Sequence, residues 1–266
     1  MTHTACLFSV FTKPWTMALP ELGEHVAGLG FDGIELPVRP GYPIDPERVK
    51  ALPEAARTLA GFGLQVFSVA GPTDESTIAA CAEAGVPVIR ICPVLAQGAY
   101  MLSEARLRKD FDALVPLLDK YGVKIGLQNH CGHHLANNAM GQLHILEHYD
   151  PKHFVAVWDA AHNALGGEEP ESAIDILWPY LDMVNLKNAY YQRINGFEAE
   201  VAEWRSYWTS GRQGLASWPR VARELRRREW SGVVCLTAEY SDHDSADRLI
   251  AEDIAFAKSL FEGKLF

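Results

Sequence analysis

Apolar residues along the chain fall into two alternating patterns. Short runs rich in aliphatic and β-branched residues recur at 5–12, 33–38, 64–70, 87–94, 123–130, 154–159, 183–189 and 232–240. Between them lie stretches with apolar residues at i, i+3, i+4 and i+7, the spacing of one face of a helix. Leu19, Leu22, Val26 and Leu29 form one such stripe, and Leu107, Phe111, Leu114, Leu117 and Leu118 another. Pro116 within the second stripe predicts a kink or a broken turn, because proline lacks the amide donor and clashes with the preceding turn. Gly30, Gly63, Gly85 and Gly122 stand where helices should end, at positions suited to a left-handed capping residue.

Eight strand–helix units of about 30 residues each match the size of a βαβ step. The strand runs are continuously apolar rather than alternating, as a parallel sheet buried on both faces requires. The count reaches eight and no Gly-x-Gly-x-x-Gly follows the first run, which predicts a closed (β/α)8 barrel rather than an open doubly wound sheet, and no nucleotide cofactor. The 266 residues, 48% of them hydrophobic, suffice for one barrel as a single domain. One stretch breaks the period, an aromatic-rich insertion at about 190–218 between the seventh and eighth strands. It holds Tyr190, Tyr191, Phe197, Trp204, Tyr207 and Trp208 with Arg193, Arg205 and Arg212. In a barrel it falls on the C-terminal face. It reads either as a lid or substrate wall, to which Trp208 and Arg212 contribute, or as an extra surface helix packed on its aromatics.

Charge narrows the partners. With 24 Lys+Arg against 34 Asp+Glu, the net charge of −10 opposes a sequence-independent nucleic-acid binder, which needs clustered cations. The basic run at 223–228 lies in an amphipathic stretch and reads as a solvated helix face. Five cysteines without CxxC spacing predict reduced thiols in a cytoplasmic protein. The first apolar run is too short for a membrane span and lacks the basic flank of a secretion signal, so no membrane partner is expected. These patterns leave the oligomeric state open, a homo-oligomer included.

In a (β/α)8 barrel, polar residues at the C-terminal ends of strands are the chemical candidates. Four strand ends carry a conspicuous set: Gln128-Asn129-His130, Asp159-Ala160-Ala161-His162, Asn185-Leu186-Lys187-Asn188 and Thr237-Ala238-Glu239-Tyr240. Strand period puts Gln128 with His130, and Asn185 with Lys187, on a common face. Glu35 on the second strand and Arg90 on the fourth join them.

At these residues the chain resembles the sugar-phosphate isomerase/epimerase family, the xylose-isomerase-like TIM barrels. That family includes ketose 3-epimerases, hydroxypyruvate isomerase and inosose dehydratase. The resemblance spans nearly the whole chain. It rests on Leu29-Gly30-Phe31-Asp32-Gly33-Ile34-Glu35-Leu36, Asp159-x-x-His162, Gly214-Leu215-Ala216-Ser217-Trp218-Pro219 and Trp230-Ser231-Gly232 ahead of Glu239. It implies a divalent-metal site built from Glu, Asp, His and Glu on strands five to eight. Here Asp159 and Glu239 are kept, while Gln128 replaces the first Glu, Asn185 the His, and Asn188 a usual Asp.

Amide oxygens carry no charge and are poorer ligands for a borderline metal. The resemblance therefore implies a weak Mg²⁺ or Mn²⁺ site through Asp159 and Glu239, joined by Gln128 and Asn185, or no metal at all. Gln128 also removes one of the two carboxylates that the family is thought to use as a proton-shuttling pair. A one-base reaction on a small sugar, keto-sugar or polyol is the leading reading, of isomerase, epimerase or lyase class. Glu239 is its base, Lys187 its electrostatic stabiliser, and Asp159 with His162 an ion- or substrate-binding pair. Glu35, Arg90, Gln128, His130 and Asn185 are substrate contacts. The rival is a regulatory carbohydrate-binding barrel that has lost catalysis. An endonuclease IV-like repair enzyme is disfavoured by the acidic balance and the missing ligands. The His130-Cys131-Gly132-His133-His134 run has metal-binding residue types, but on one loop it lacks the paired spacing of structural zinc sites.

Overall fold

In the computed structural model, which describes residues 6–96 and 99–263, the eight apolar runs become the eight strands of a closed barrel. In chain order the strands are β1 (Leu7–Phe11), β2 (Gly33–Pro37), β3 (Gln65–Ala70), β4 (Val88–Ile91), β5 (Lys124–Gln128), β6 (Phe154–Asp159), β7 (Leu181–Leu186), β8 (Asn188–Arg193), β9 (Trp204–Thr209) and β10 (Val233–Leu236). The barrel closes as β1-β10-β7-β6-β5-β4-β3-β2, and β8 and β9 form a separate two-stranded sheet. Every barrel neighbour is parallel. Position 5 of the first expected run lies outside the described residues.

The helices are α1 (Leu19–Gly28), α2 (Leu52–Ala60), α3 (Glu75–Ala84), α4 (Tyr100–Tyr121), α5 (Ala139–Leu146), α6 (Ala160–Leu165), α7 (Pro170–Leu177), α8 (Trp218–Arg227) and α9 (Ala246–Phe261). Their apolar stripes and the outward residues of the strands make one large core, with Trp158 and Trp218 fully buried in it. Each Leu, Ile or Val buried there contributes about 1.5–3 kcal/mol. Capping is local. Asp74 accepts from the Thr77 amide at 3.1 Å to start α3, and Gly85 ends it at φ +71°. Gly30, Gly63 and Gly122 also take positive φ, as their spacing predicted. The α4 helix runs unbroken through Pro116, so the expected broken turn does not occur.

Two segments differ from the sequence reading. The run at 183–189 is not one strand. It divides at Lys187 into β7 of the barrel and β8 of the insertion, because Asn188 fastens the insertion at this point. Its Nδ2 donates to the Gly211 and Ala216 carbonyls at 2.8 and 2.9 Å, while its Oδ1 accepts from the Ala216 amide at 2.8 Å. The insertion itself is an antiparallel hairpin, β8 against β9, and not a helix. Its alternating Tyr190, Gln192, Tyr207 and Arg205 suit paired strands, and Tyr190 stacks on Tyr207 at 5.2 Å.

Inside the barrel, Phe11, Ala70, Val88, Val157, Met183 and Cys235 form a small apolar plug. Two residues further along β4, β6 and β7 come Arg90, Asp159 and Asn185, so the interior turns polar toward the C-terminal end. Gly126 makes room for this change. A Cβ there would lie 2.7 Å from Val157 and 2.9 Å from Val88. All five cysteines are free. Among the described residues no helix is long and apolar enough to cross a membrane.

Candidate active site at the barrel mouth

The polar strand-end residues form two tiers. The lower tier is a buried hydrogen-bonded belt across the interior. Glu35 on β2 accepts from Arg90 Nε at 2.8 Å and from Ser68 Oγ at 2.9 Å. Arg90 also donates to Gln128 Oε1 at 2.5 Å, and Gln128 Nε2 donates to Asp159 Oδ2 at 3.2 Å. Burial works against the Arg90 charge, but Glu35 more than offsets it and holds the guanidinium above the usual arginine range. The Arg90 guanidinium also lies 4.6 Å from the Phe11 ring centroid. Glu35, Arg90 and Gln128 are thus linked to one another, with Glu35 Oε2 left buried and without a partner, and they sit under the mouth, not at its surface.

Asp159 ends β6 and caps α6. Its Oδ1 accepts from the Ala161 and His162 amides at 2.9 and 3.0 Å. Asn129 clamps the Asp159 backbone from the next strand, accepting from its N–H at 2.7 Å and donating to its carbonyl at 3.1 Å. Burial pushes the Asp159 carboxyl up to about 6, with Lys187 and the two amides opposing the rise. Beside it, Asn185 is wholly buried, and neither its amide oxygen nor its amide nitrogen has a partner.

The upper tier centres on Glu239, just beyond β10. Its Oε2 accepts from Lys187 Nζ at 2.7 Å, and its Oε1 pairs with Lys13. Burial would raise this carboxyl, yet the Lys187 and Lys13 ammoniums together hold it down to about 2. Lys187 is 7% exposed and lies 3.8 Å from the Trp208 ring centroid, while Lys13 is 43% exposed. The Lys187 backbone is set by Trp218, whose indole donates to its carbonyl at 3.1 Å. Above Glu239 opens a cavity of about 1170 Å³ walled by Lys13, Trp15, Tyr42, Arg205, Tyr207 and Trp208. The hairpin is therefore one wall of the mouth.

The histidines lie to one side. His130 stacks on His162 at 3.8 Å and on His134 at 3.9 Å, and Cys131 Sγ is 3.1 Å from His162 Nδ1. Burial lowers His130 to about 4 and His162 well below the usual range, so both are neutral imidazoles at neutral pH. Trp208 packs edge-on to His162 at 5.1 Å. Arg212 is not brought here. It is exposed and stacks 3.8 Å from the Phe256 ring on α9.

Sequence reasoning missed Lys13, and it named Asn129 at the end of the fifth strand without giving it a role. Lys13 carried a usable signal, since it stands just past the end of the first strand, where a barrel places its chemistry. The four positions that the resemblance linked to a metal, Gln128, Asp159, Asn185 and Glu239, do share one end of the barrel. All four offer oxygen, the donor type of a hard cation, but Gln128, Asp159 and Glu239 are engaged by protein groups in this structure. Glu239 spends both oxygens on ammonium groups, Gln128 turns its NH₂ toward Asp159, and Asp159 caps a helix. A different group, His130, Cys131 and His162, offers three ligating atoms within 4.8 Å of one another.

The profile of the xylose isomerase-like TIM barrels matches residues 24–260, and the chain belongs to that family. Among solved structures, a probable 3-DHS dehydratase involved in petrobactin synthesis from Bacillus anthracis superposes with a TM-score of 0.72 at 15% identity. The match covers 95% of this chain and 98% of that one. A D-psicose 3-epimerase solved in the presence of D-fructose gives 0.72 at 13% identity, covering 96% and 99%. A 3-keto-D-glucoside 4-epimerase from E. coli gives 0.71 at 14% identity, again covering 96% and 99%. At these identities the likeness is one of fold. A sequence search of curated proteins returns no match.

Proposed function

We propose that this protein is an enzyme acting on a small keto-sugar or polyol, and that it works by taking a proton from a carbon beside a carbonyl. The observation that carries the proposal is Glu239 at the floor of an aromatic-walled cavity, held between two ammonium groups. Trp15, Tyr42, Tyr207 and Trp208 offer the apolar faces that sugar rings pack against, and the charged floor offers partners for hydroxyls. Epimerisation beside a ketone and dehydration of a β-hydroxy ketone both begin with such a proton transfer. The dehydratase and epimerases of the same fold support this class. Free cysteines support a cytoplasmic location.

A carboxylate with its pKa near 2 is a weak base, and the two lysines explain how it could become a stronger one. Lys13 faces the cavity. A substrate carbonyl oxygen that takes its N–H releases Glu239 Oε1, whose proton affinity then recovers. Glu239 takes the C–H proton, the electron pair moves to the carbonyl oxygen, and Lys13 stabilises the resulting oxyanion. Lys187 keeps the other carboxylate oxygen in place. Gln128 cannot act as a second base on the opposite side, which favours proton exchange at one carbon, or loss of a β-hydroxyl, over two-base epimerisation.

The test is incorporation of solvent deuterium into a panel of ketoses, followed by NMR. Glu239→Gln should lower exchange by about 10²–10⁴-fold, the usual worth of a general base. Exchange that survives this substitution would refute the assignment. No exchange with any ketose, together with sugar binding detected by calorimetry, would favour the regulatory reading, for which the ion-paired carboxylate is the supporting observation.

A further inference from the structure

Three donors from separate parts of the chain meet beside the Lys13–Glu239–Lys187 cluster. His130 and Cys131 follow β5, and His162 lies in α6 after β6. On the loop alone, the His and Cys residues lack zinc spacing. The closed barrel supplies what the loop lacks, because His162 arrives from the neighbouring strand 31 residues after Cys131.

We infer that His130, Cys131 and His162 form a binding site for a borderline divalent cation, zinc first among them. Two imidazoles and a cysteine sulfur, which releases its thiol proton to solvent as the metal binds, are a donor set for zinc and not for Mg²⁺ or Mn²⁺. Each imidazole presents a lone pair. His130 Nδ1 lies 2.8 Å from the Cys131 carbonyl, which cannot donate, so this nitrogen carries the proton and Nε2 is left to ligate. A carbonyl anchor of this kind is what zinc-binding histidines ordinarily have. His162 Nδ1 accepts the Cys131 N–H at 3.2 Å, so it is unprotonated, and it also faces Sγ at 3.1 Å; a bound cation takes this lone pair in place of the Cys131 amide.

A tetrahedral zinc spaces nitrogen and sulfur ligands about 3.3–3.6 Å apart. The three atoms lie within 4.8 Å of one another, so small side-chain rotations bring them to bonding distance. Three protein donors leave the fourth position for water or a substrate oxygen, beside the Trp208 wall of the mouth. None of Gln128, Asp159, Asn185 or Glu239 takes part. The site is therefore separate from the four positions where the fold family's resemblance would put a metal.

The test uses the full chain, stripped of metal by a chelator and titrated with Co²⁺ alone, then with Zn²⁺ alone. Co²⁺ should give a sulfur-to-cobalt charge-transfer band at one equivalent, and Zn²⁺ should abolish it. Cys131→Ser should lose the band while keeping its far-UV circular dichroism. His162→Asn should weaken Zn²⁺ binding at least about tenfold, or about 1.4 kcal/mol. Should His162→Asn fail to fold, His130→Asn carries the same expectation from a less buried position. Glu239→Gln should leave metal binding unchanged. The inference is overturned by absence of the band in the unmutated protein, by a band that survives Cys131→Ser, or by Zn²⁺ affinity that falls with Glu239→Gln and not with the histidine substitutions.

Discussion

Replacing Lys187 with Met removes one of the two ammonium groups on Glu239 and leaves a half-buried carboxylate with only Lys13. The size of the effect follows from the Glu239 pKa, which falls from 4.5 to about 2. At about 1.4 kcal/mol per tenfold change in proton affinity, the ionised form is favoured by about 3 kcal/mol. Burial acts against it, so the two lysines together supply more than this. Lys187, at 7% exposure the more desolvated partner, should account for about 2 kcal/mol. Because the folded-state pKa is depressed, this contribution is complete above pH 4.5 and disappears as pH falls through about 2. It is therefore fully present at pH 7. There Lys187→Met should cost about 2 kcal/mol, or a fall of about 4–8 °C in Tm for a chain near this size. Glu239→Gln should cost a comparable amount. The double variant should lose much less than the sum, giving a coupling of about 2 kcal/mol in a double-mutant cycle measured by urea unfolding. In Lys187→Met, the Glu239 carboxyl followed by carbon-13 NMR should titrate at least one pH unit higher, a tenfold change in proton affinity. A coupling below about 0.5 kcal/mol, within the additivity error of independent sites, would refute the reasoning.

Two further outcomes bear on the same strand ends. Asp159 has its pKa raised to about 6, so the folded state loses stability as pH rises from the unfolded value through 6. Asp159→Asn should remove that slope, losing about 1.4 kcal/mol less than the unmutated protein between pH 5 and pH 8; equal losses in urea unfolding at the two pH values would show that the carboxyl is not held as described. Gln128→Glu combined with Asn185→His restores the acidic and imidazole donors of the family pattern. Calorimetry should then find Mn²⁺ binding at least about tenfold tighter than in the unmutated chain. Unchanged Mn²⁺ affinity would mean that the two amides are not what sets it.

Much of the architecture was legible in the residues alone. Strand and helix periodicities, and glycines at helix ends such as Gly85 and Gly122, are set by steric rules acting over a few positions. They survive whatever surrounds them, and with eight repeats they define a barrel. The same local rule placed Asp159, Lys187 and Glu239 at the C-terminal ends of strands. Contacts made only when the barrel closes were beyond that reach. Lys13 and Glu239 are 226 positions apart, and they meet because β1 pairs with β10. Asn188 looked like an altered site residue, yet it fastens the insertion, which no local pattern could reveal. Glu35 and Arg90 looked like substrate contacts and form a buried pair beneath the mouth. His162 approaches Cys131 only because β5 and β6 are neighbours in the sheet. Sequence determined that Asp159, Lys187 and Glu239 stand at the C-terminal end of the barrel, since that follows from strand direction and periodicity. Tertiary structure alone decided which of them touch, and hence their charge state, because hydrogen bonding and Coulomb energy depend on distances that only the closed barrel sets.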